Sequence, residues 1–234
     1  MKRKLLSIIL LVAMLCMGAC GGQTDDIIDT EINAGDDVAI SLEGTEDDSL
    51  KVDPPYSVEV EIPADMEAML APMDAILMCG AETGFEYDSE NPEVFWRLMY
   101  YNIGNHGSTH PLAKVDRGIL ELDRKVVQEF ATGMFANYSD LPELPEEMEG
   151  AITYDESIDA YLFSLGDRGL SQAEMVTCMK NADGSYDVTA RLYDMEDNST
   201  IVSAVFHLVA NPYADGIMNP MFLYTISSVV EFTE

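Results

Sequence analysis

The stretch "AEMVTCMKNADGSYDVTARLYDMEDNSTIVSAVFHLVA", residues 173–210, constrains the fold more than any other part of the chain. Asp183-Gly184 is a tight-turn dipeptide, and it separates an apolar run from one of strict alternation in which Tyr186, Val188, Ala190 and Leu192 share a face. Side chains two residues apart point the same way only along an extended strand, so the pattern predicts a hairpin. "DMEDNS" supplies a second turn into Ile201 to Ala210, apolar on both faces as a strand central in a sheet would be. A last strand is predicted from about Met221 to Phe232. The C-terminal half is therefore an antiparallel meander.

The half before it has helical periodicity. Met66, Met69, Leu70, Met73, Ile76 and Leu77 recur near helical spacing, with Pro72 expected to kink or split that helix. In "SENPEVFWRLMYYNIGNHG", Asn91 can cap, Pro92 suits the first helical position, Glu93 favours the positive end of the dipole and Gly104 can terminate. Phe95, Leu98, Met99 and Ile103 form its buried stripe. A third helix is predicted from near Asp123 to near Asn137, followed by "LPELPEEMEG" as a loop. Helices followed by a meander predict an α+β fold, the N-terminal helices packed on one face of a bent antiparallel sheet. Residues 56–234 contain no repeat and are long enough to bury one core as a single domain.

The N-terminus is of another kind. Lys2, Arg3 and Lys4 precede an apolar run from Leu5 to about Met17 that ends in small residues, the layout of a secretory signal. That run is shorter than the ~20 residues needed to span a bilayer. From Gly21 to Pro55, eleven acidic residues face the single Lys51, with no sustained period apart from a short strand-like stretch at Val38 to Leu42. Such a tract repels itself and reads as an extended acidic tether.

Charge narrows the partners. Lys and Arg number 12 against 43 Asp and Glu, a formal net charge of −31, and loss of residues 1–19 would leave about −34 because three basic residues go with them. Nucleic-acid phosphates and anionic lipid headgroups would both be repelled.

Met17, Gly18, Ala19 and Cys20 resemble the lipobox of bacterial lipoprotein precursors. The resemblance covers about the first twenty residues and departs from the pattern at Met17, where Leu is usual. It implies that residues 1–19 are a signal peptide and that Cys20 carries lipid and becomes the N-terminus of an exported protein anchored to the outer face of a bacterial membrane. The remaining element order, two or three helices and then long hairpin-joined strands, is similar to NTF2-like and cystatin-like folds. That similarity implies a cone whose sheet and helices can enclose a pocket, a scaffold used by isomerases, dehydratases and non-catalytic binding modules alike.

Chemistry-bearing residues are sparse. His106 and His110 are four apart, but Gly104, Gly107 and Pro111 place them in a predicted loop rather than on a helix face suited to zinc. "DMEDNST" lacks the Gly and the terminal Glu of a calcium loop, and no phosphate loop or nucleophile elbow is present. No metal site, cofactor or catalytic residue is assigned. Cys79 and Cys178 stand either as a disulfide, which export would permit, or as two buried thiols. The candidate binding surface or pocket comprises Trp96, Arg97, Tyr100 and Tyr101, with His207 as a polar spot on the predicted central strand beside Ser203.

The reading that results is a membrane-anchored lipoprotein with a non-catalytic domain for an unknown protein, peptide or small ligand. Its alternatives are an NTF2-like pocket enzyme using His207 with a nearby Tyr or Asp in acid/base chemistry, and a structural envelope component.

Overall fold

The computed structural model describes residues 57–232. The signal segment, Cys20, the acidic tether and its strand-like stretch at 38–42 lie outside the described residues. Among those described, no helix is long and apolar enough to cross a membrane.

The fold is α+β, with helices first and the long strands last. After the two-residue strand β1 (Val58–Glu59) and a 3-10 turn at Ala64–Met69 comes helix α1 (Leu70–Thr83). Pro72 sits in the first turn of α1, where its missing N–H costs no helical bond, so the predicted split falls at the junction of the 3-10 turn and α1. Helix α2 (Pro92–His106) starts as expected: the Asn91 side chain accepts from the Glu93 N–H at 3.0 Å, with Pro92 at the first helical position. It runs past Gly104 to His106, two residues beyond the predicted stop. A β-carbon on Gly104 would meet nothing within 4 Å, whereas one on Gly107 would lie 2.9 Å from Leu120, so the glycine required by packing is at 107.

Two sheets replace the single bent sheet. The smaller has the order β2-β3-β5-β4, from β2 (Lys114–Asp116), β3 (Ile119–Asp123), β4 (Ile152–Asp155) and β5 (Ala160–Ser164). None of its strands exceeds five residues, and the β2–β3 turn is Arg117-Gly118, both at positive φ, without the Asn or Asp that makes such turns visible in a sequence. Helix α3 (Arg124–Met134) follows β3 directly.

The larger sheet has the order β1-β6-β7-β8-β9, from β6 (Ser171–Lys180), β7 (Tyr186–Asp194), β8 (Thr200–Ala210) and β9 (Tyr224–Phe232). It contains the predicted hairpin at Asp183-Gly184, and β8 is internal to it. One face is buried by alternate residues, Val188, Ala190 and Leu192 from β7 with Ala204, Phe206 and Leu208 from β8. The opposite face has no such cover: Ile201 is 49% and Val230 65% exposed, so an apolar pattern on both faces of β8 did not require burial of both.

Helix α1 packs on β6, β7 and β8, α2 packs on α1 and β5, and α3 touches β9 as well as β3 and β5. The helices thus tie the two sheets to one continuous core, in which Trp96, Phe95, Phe135, Phe163 and Phe206 are the largest fully buried side chains. Each such ring removed from water contributes on the order of 2–3 kcal/mol.

Candidate functional site

The sequence-selected residues do not gather into one site. Trp96 is a core residue, 0% exposed, its indole N–H donating to the Pro142 carbonyl at 3.1 Å, which corrects its place in a binding surface. An indole is buried at low cost only when that N–H finds a partner, and the 138–142 loop supplies one. Arg97 is drawn off by Glu86 at 2.7 Å. Tyr100 and Tyr101 do line a small recess, about 150 Å³, between α1, α2 and residues 166–167. Their hydroxyls are already engaged, Tyr100 donating to the Ser164 carbonyl at 2.9 Å and Tyr101 to Glu82 at 2.5 Å. Burial and the Glu82 charge hold the Tyr101 phenol protonated well above the usual range.

His207 lies on the opposite, less covered face of the larger sheet, its Nδ1 2.6 Å from Asp187 across the β7–β8 ladder. Ser203 shares that face, as strand alternation predicted. The histidine and carboxylate named in the enzyme reading therefore do meet, but on a sheet surface and not in a pocket. Cys79 and Cys178 are separate buried thiols, not a disulfide. The Cys79 sulfur is turned to the Thr83 hydroxyl at 3.5 Å, and burial pushes both thiols above the usual range.

A buried ion cluster went unread in the sequence. Asp74 is 1% exposed, and its Oδ2 accepts from Arg168 Nη2 at 2.8 Å and lies 2.7 Å from His106 Nε2. His106 belongs to the last turn of α2, which corrects its assignment to a loop. The signal was present as the lone carboxylate in the apolar run "MLAPMDAILMC". Since Arg168 sits between β5 and β6, the cluster fastens the connection between the two sheets onto the helices. Among the described residues, no three His, Cys, Asp or Glu side chains cluster as a metal-ligand set.

A cleft of ligand size lies between α3 and residues 211–222, with a volume of about 380 Å³; grooves of about 380 Å³ beside residues 144–154 and about 410 Å³ beside residues 62–70 and 172–175 are more open to solvent. Its geometry begins at Gly133, where a β-carbon would stand 2.5 Å from the Phe222 ring; the missing side chain lets that ring settle on α3. Asn211 then fixes the opposite wall, its amide donating to the Phe222 carbonyl at 3.0 Å and its Oδ1 accepting from the Tyr213 N–H at 3.0 Å. The Tyr213 hydroxyl donates to the Tyr138 carbonyl, and the two rings meet edge to face at 5.7 Å. Apolar area comes from Phe222, Met221, Ile217 and Tyr213, and charge from Lys125 and Glu129 of α3. Ile217 and its neighbour Met218 are 56% and 90% exposed.

No protein-family model, curated protein or solved structure matches the chain. The site's meaning rests on its own geometry. Tyr138, 8% exposed, has a hydroxyl without a hydrogen-bond partner, and burial pushes its pKa up to about 12. At neutral pH it is a donor with nothing to donate to.

None of the sequence-selected residues lines this cleft. Its walls come from segments some eighty residues apart, and the turn-rich "ANPYADGIMNPMF" gave no period to follow. The apolar residues inside that turn segment were the available signal.

Proposed function

We propose that the chain is an exported lipoprotein, held on a membrane by lipid on Cys20, whose α+β domain is a non-catalytic module that binds its ligand in the cleft between α3 and residues 211–222. The anchor rests on the lipobox resemblance of Met17 to Cys20. The observation that supports binding is the cleft itself: about 380 Å³, within the range of small-molecule sites, walled by aromatic and aliphatic side chains with a few convergent polar groups. Asp74 and His106 belong to a structural ion cluster and His207 to the open sheet face, so neither of these histidines faces the cleft, whose own titratable groups include Lys125, Glu129 and Tyr138.

The test is fluorescence of the neutral dye Nile red with the mature polypeptide, residues 20–234, prepared without lipid. Wild type is expected to shift its emission to the blue with a saturable isotherm. Ala214→Trp, which fills the cleft from its rim without removing a side-chain hydrogen bond, is expected to abolish the shift, while Val230→Ser on the open sheet face leaves it intact. An isotherm indifferent to Ala214→Trp would place binding outside the cleft and overturn the reading.

A further inference from the structure

Among the described residues every arginine lies within 4.0 Å of a carboxylate oxygen: Arg97, Arg117, Arg124, Arg168 and Arg191 are all paired. Lys114 is paired with Glu121, and Lys180 sits over the Tyr186 ring. Lys125 has neither kind of partner among the described residues, in a chain of net charge −31, and it lines the cleft. Four residues along α3, Glu129 lines the same cleft with its side chain 56% exposed, 3.9 Å from His110 Nε2. Residues four apart on a helix share a face with β-carbons ~6 Å apart, so one turn presents both an ammonium and a carboxylate to whatever enters.

We propose that the cleft binds a small apolar zwitterion, a free α-amino acid with an aromatic or branched side chain, its carboxylate toward Lys125 and its ammonium toward Glu129. This rests on the reading of the cleft as the ligand site. A net anion is repelled by the chain's field; a net cation is drawn by that field and by Glu129 but meets the Lys125 ammonium as a like charge, whereas a zwitterion offers each of the two groups its opposite. Phe222, Met221 and Ile217 receive the side chain. Tyr138 also lines the cleft, its hydroxyl buried and without a hydrogen-bond partner among the described residues.

Isothermal calorimetry of the mature polypeptide with L-phenylalanine, 3-phenylpropionate and phenethylamine tests the proposal. L-phenylalanine is expected to bind at least tenfold more tightly than either half-molecule. Lys125→Met should cost it tenfold or more without weakening phenethylamine, and Glu129→Gln should cost it similarly without weakening 3-phenylpropionate. Both positions are exposed, so neither variant threatens the fold. Equal binding of the three compounds, or indifference to both substitutions, overturns the zwitterion. If L-phenylalanine and L-leucine give no heat while Nile red still enters the cleft, the ligand class is wrong and the binding site stands. If Nile red fails too, both fall.

Discussion

The Phe222 ring occupies the place where a side chain on Gly133 would begin, 2.5 Å from the position of its β-carbon. Two segments of chain almost ninety residues apart are locked by one absent methyl group, and the floor of the cleft is the result. Gly133→Ala restores the methyl and forces the ring or the helix to move. We expect a loss of about 1–3 kcal/mol, the usual cost of overpacking, offset by a fraction of that from better helix propensity. Urea denaturation measures the loss, and Nile red binding should weaken in the same variant, since the displaced ring is Phe222.

Asp74 gives the second prediction. Asp74→Ala removes the buried acceptor shared by His106 and Arg168. Breaking an enclosed ion pair costs ~3–5 kcal/mol, but His106 and Arg168 are 22% and 37% exposed and can turn to water. About 2–3 kcal/mol is therefore expected from chemical denaturation. Asp74→Ala and Arg168→Ala should be non-additive, because both delete the same bond.

Alkaline pH should destabilise the domain. The folded Cys79 and Cys178 thiols are raised above 9.0, and the Tyr138 phenol is raised from 10.0 to about 12, all by burial of groups that would carry charge when deprotonated. Above pH 9 the unfolded chain releases protons that the folded chain still holds, so the unfolded state binds fewer and stability falls with rising pH. The midpoint of urea unfolding should be insensitive to these groups below pH 9 and decline between pH 9 and 12. Tyr138→Phe should lessen the upper part of that decline, and it should not destabilise at pH 7, since the hydroxyl it removes bonds to nothing. Alkylation of the two thiols with iodoacetamide should be slow until the protein unfolds.

Lipid anchoring is tested by intact mass and detergent-phase partitioning of wild type and Cys20→Ala produced in a bacterium. Wild type should begin at an acylated Cys20 and enter the detergent phase. The variant should remain an uncleaved precursor. Unmodified wild type would remove the anchor and the export reading with it.

The asparagine cap of α2, the alternation of Val188, Ala190 and Leu192, and the turn at Asp183-Gly184 were all legible in the sequence, because each is a local event between residues a few positions apart. The small sheet was not legible: β2 and β4 are three and four residues long, too short for a period to register, and its first turn uses Arg117 at a position where Asn or Asp would have announced it. Nor was the close approach of Leu120, from another element, that leaves no room for a side chain at Gly107 where α2 ends.

The sequence by itself determined the α+β class and the order of helices and long strands, because hydrophobic period and capping act along the chain. It also set the formal net charge of −31. Tertiary structure alone decided the rest. It sent Trp96 into the core and His207 to an open face, drew Asp74, His106 and Arg168 together, and made a cleft of Lys125, Glu129, Tyr138 and Phe222. A cavity is the space left between elements once their packing is complete, and no local pattern encodes how two distant surfaces fail to meet.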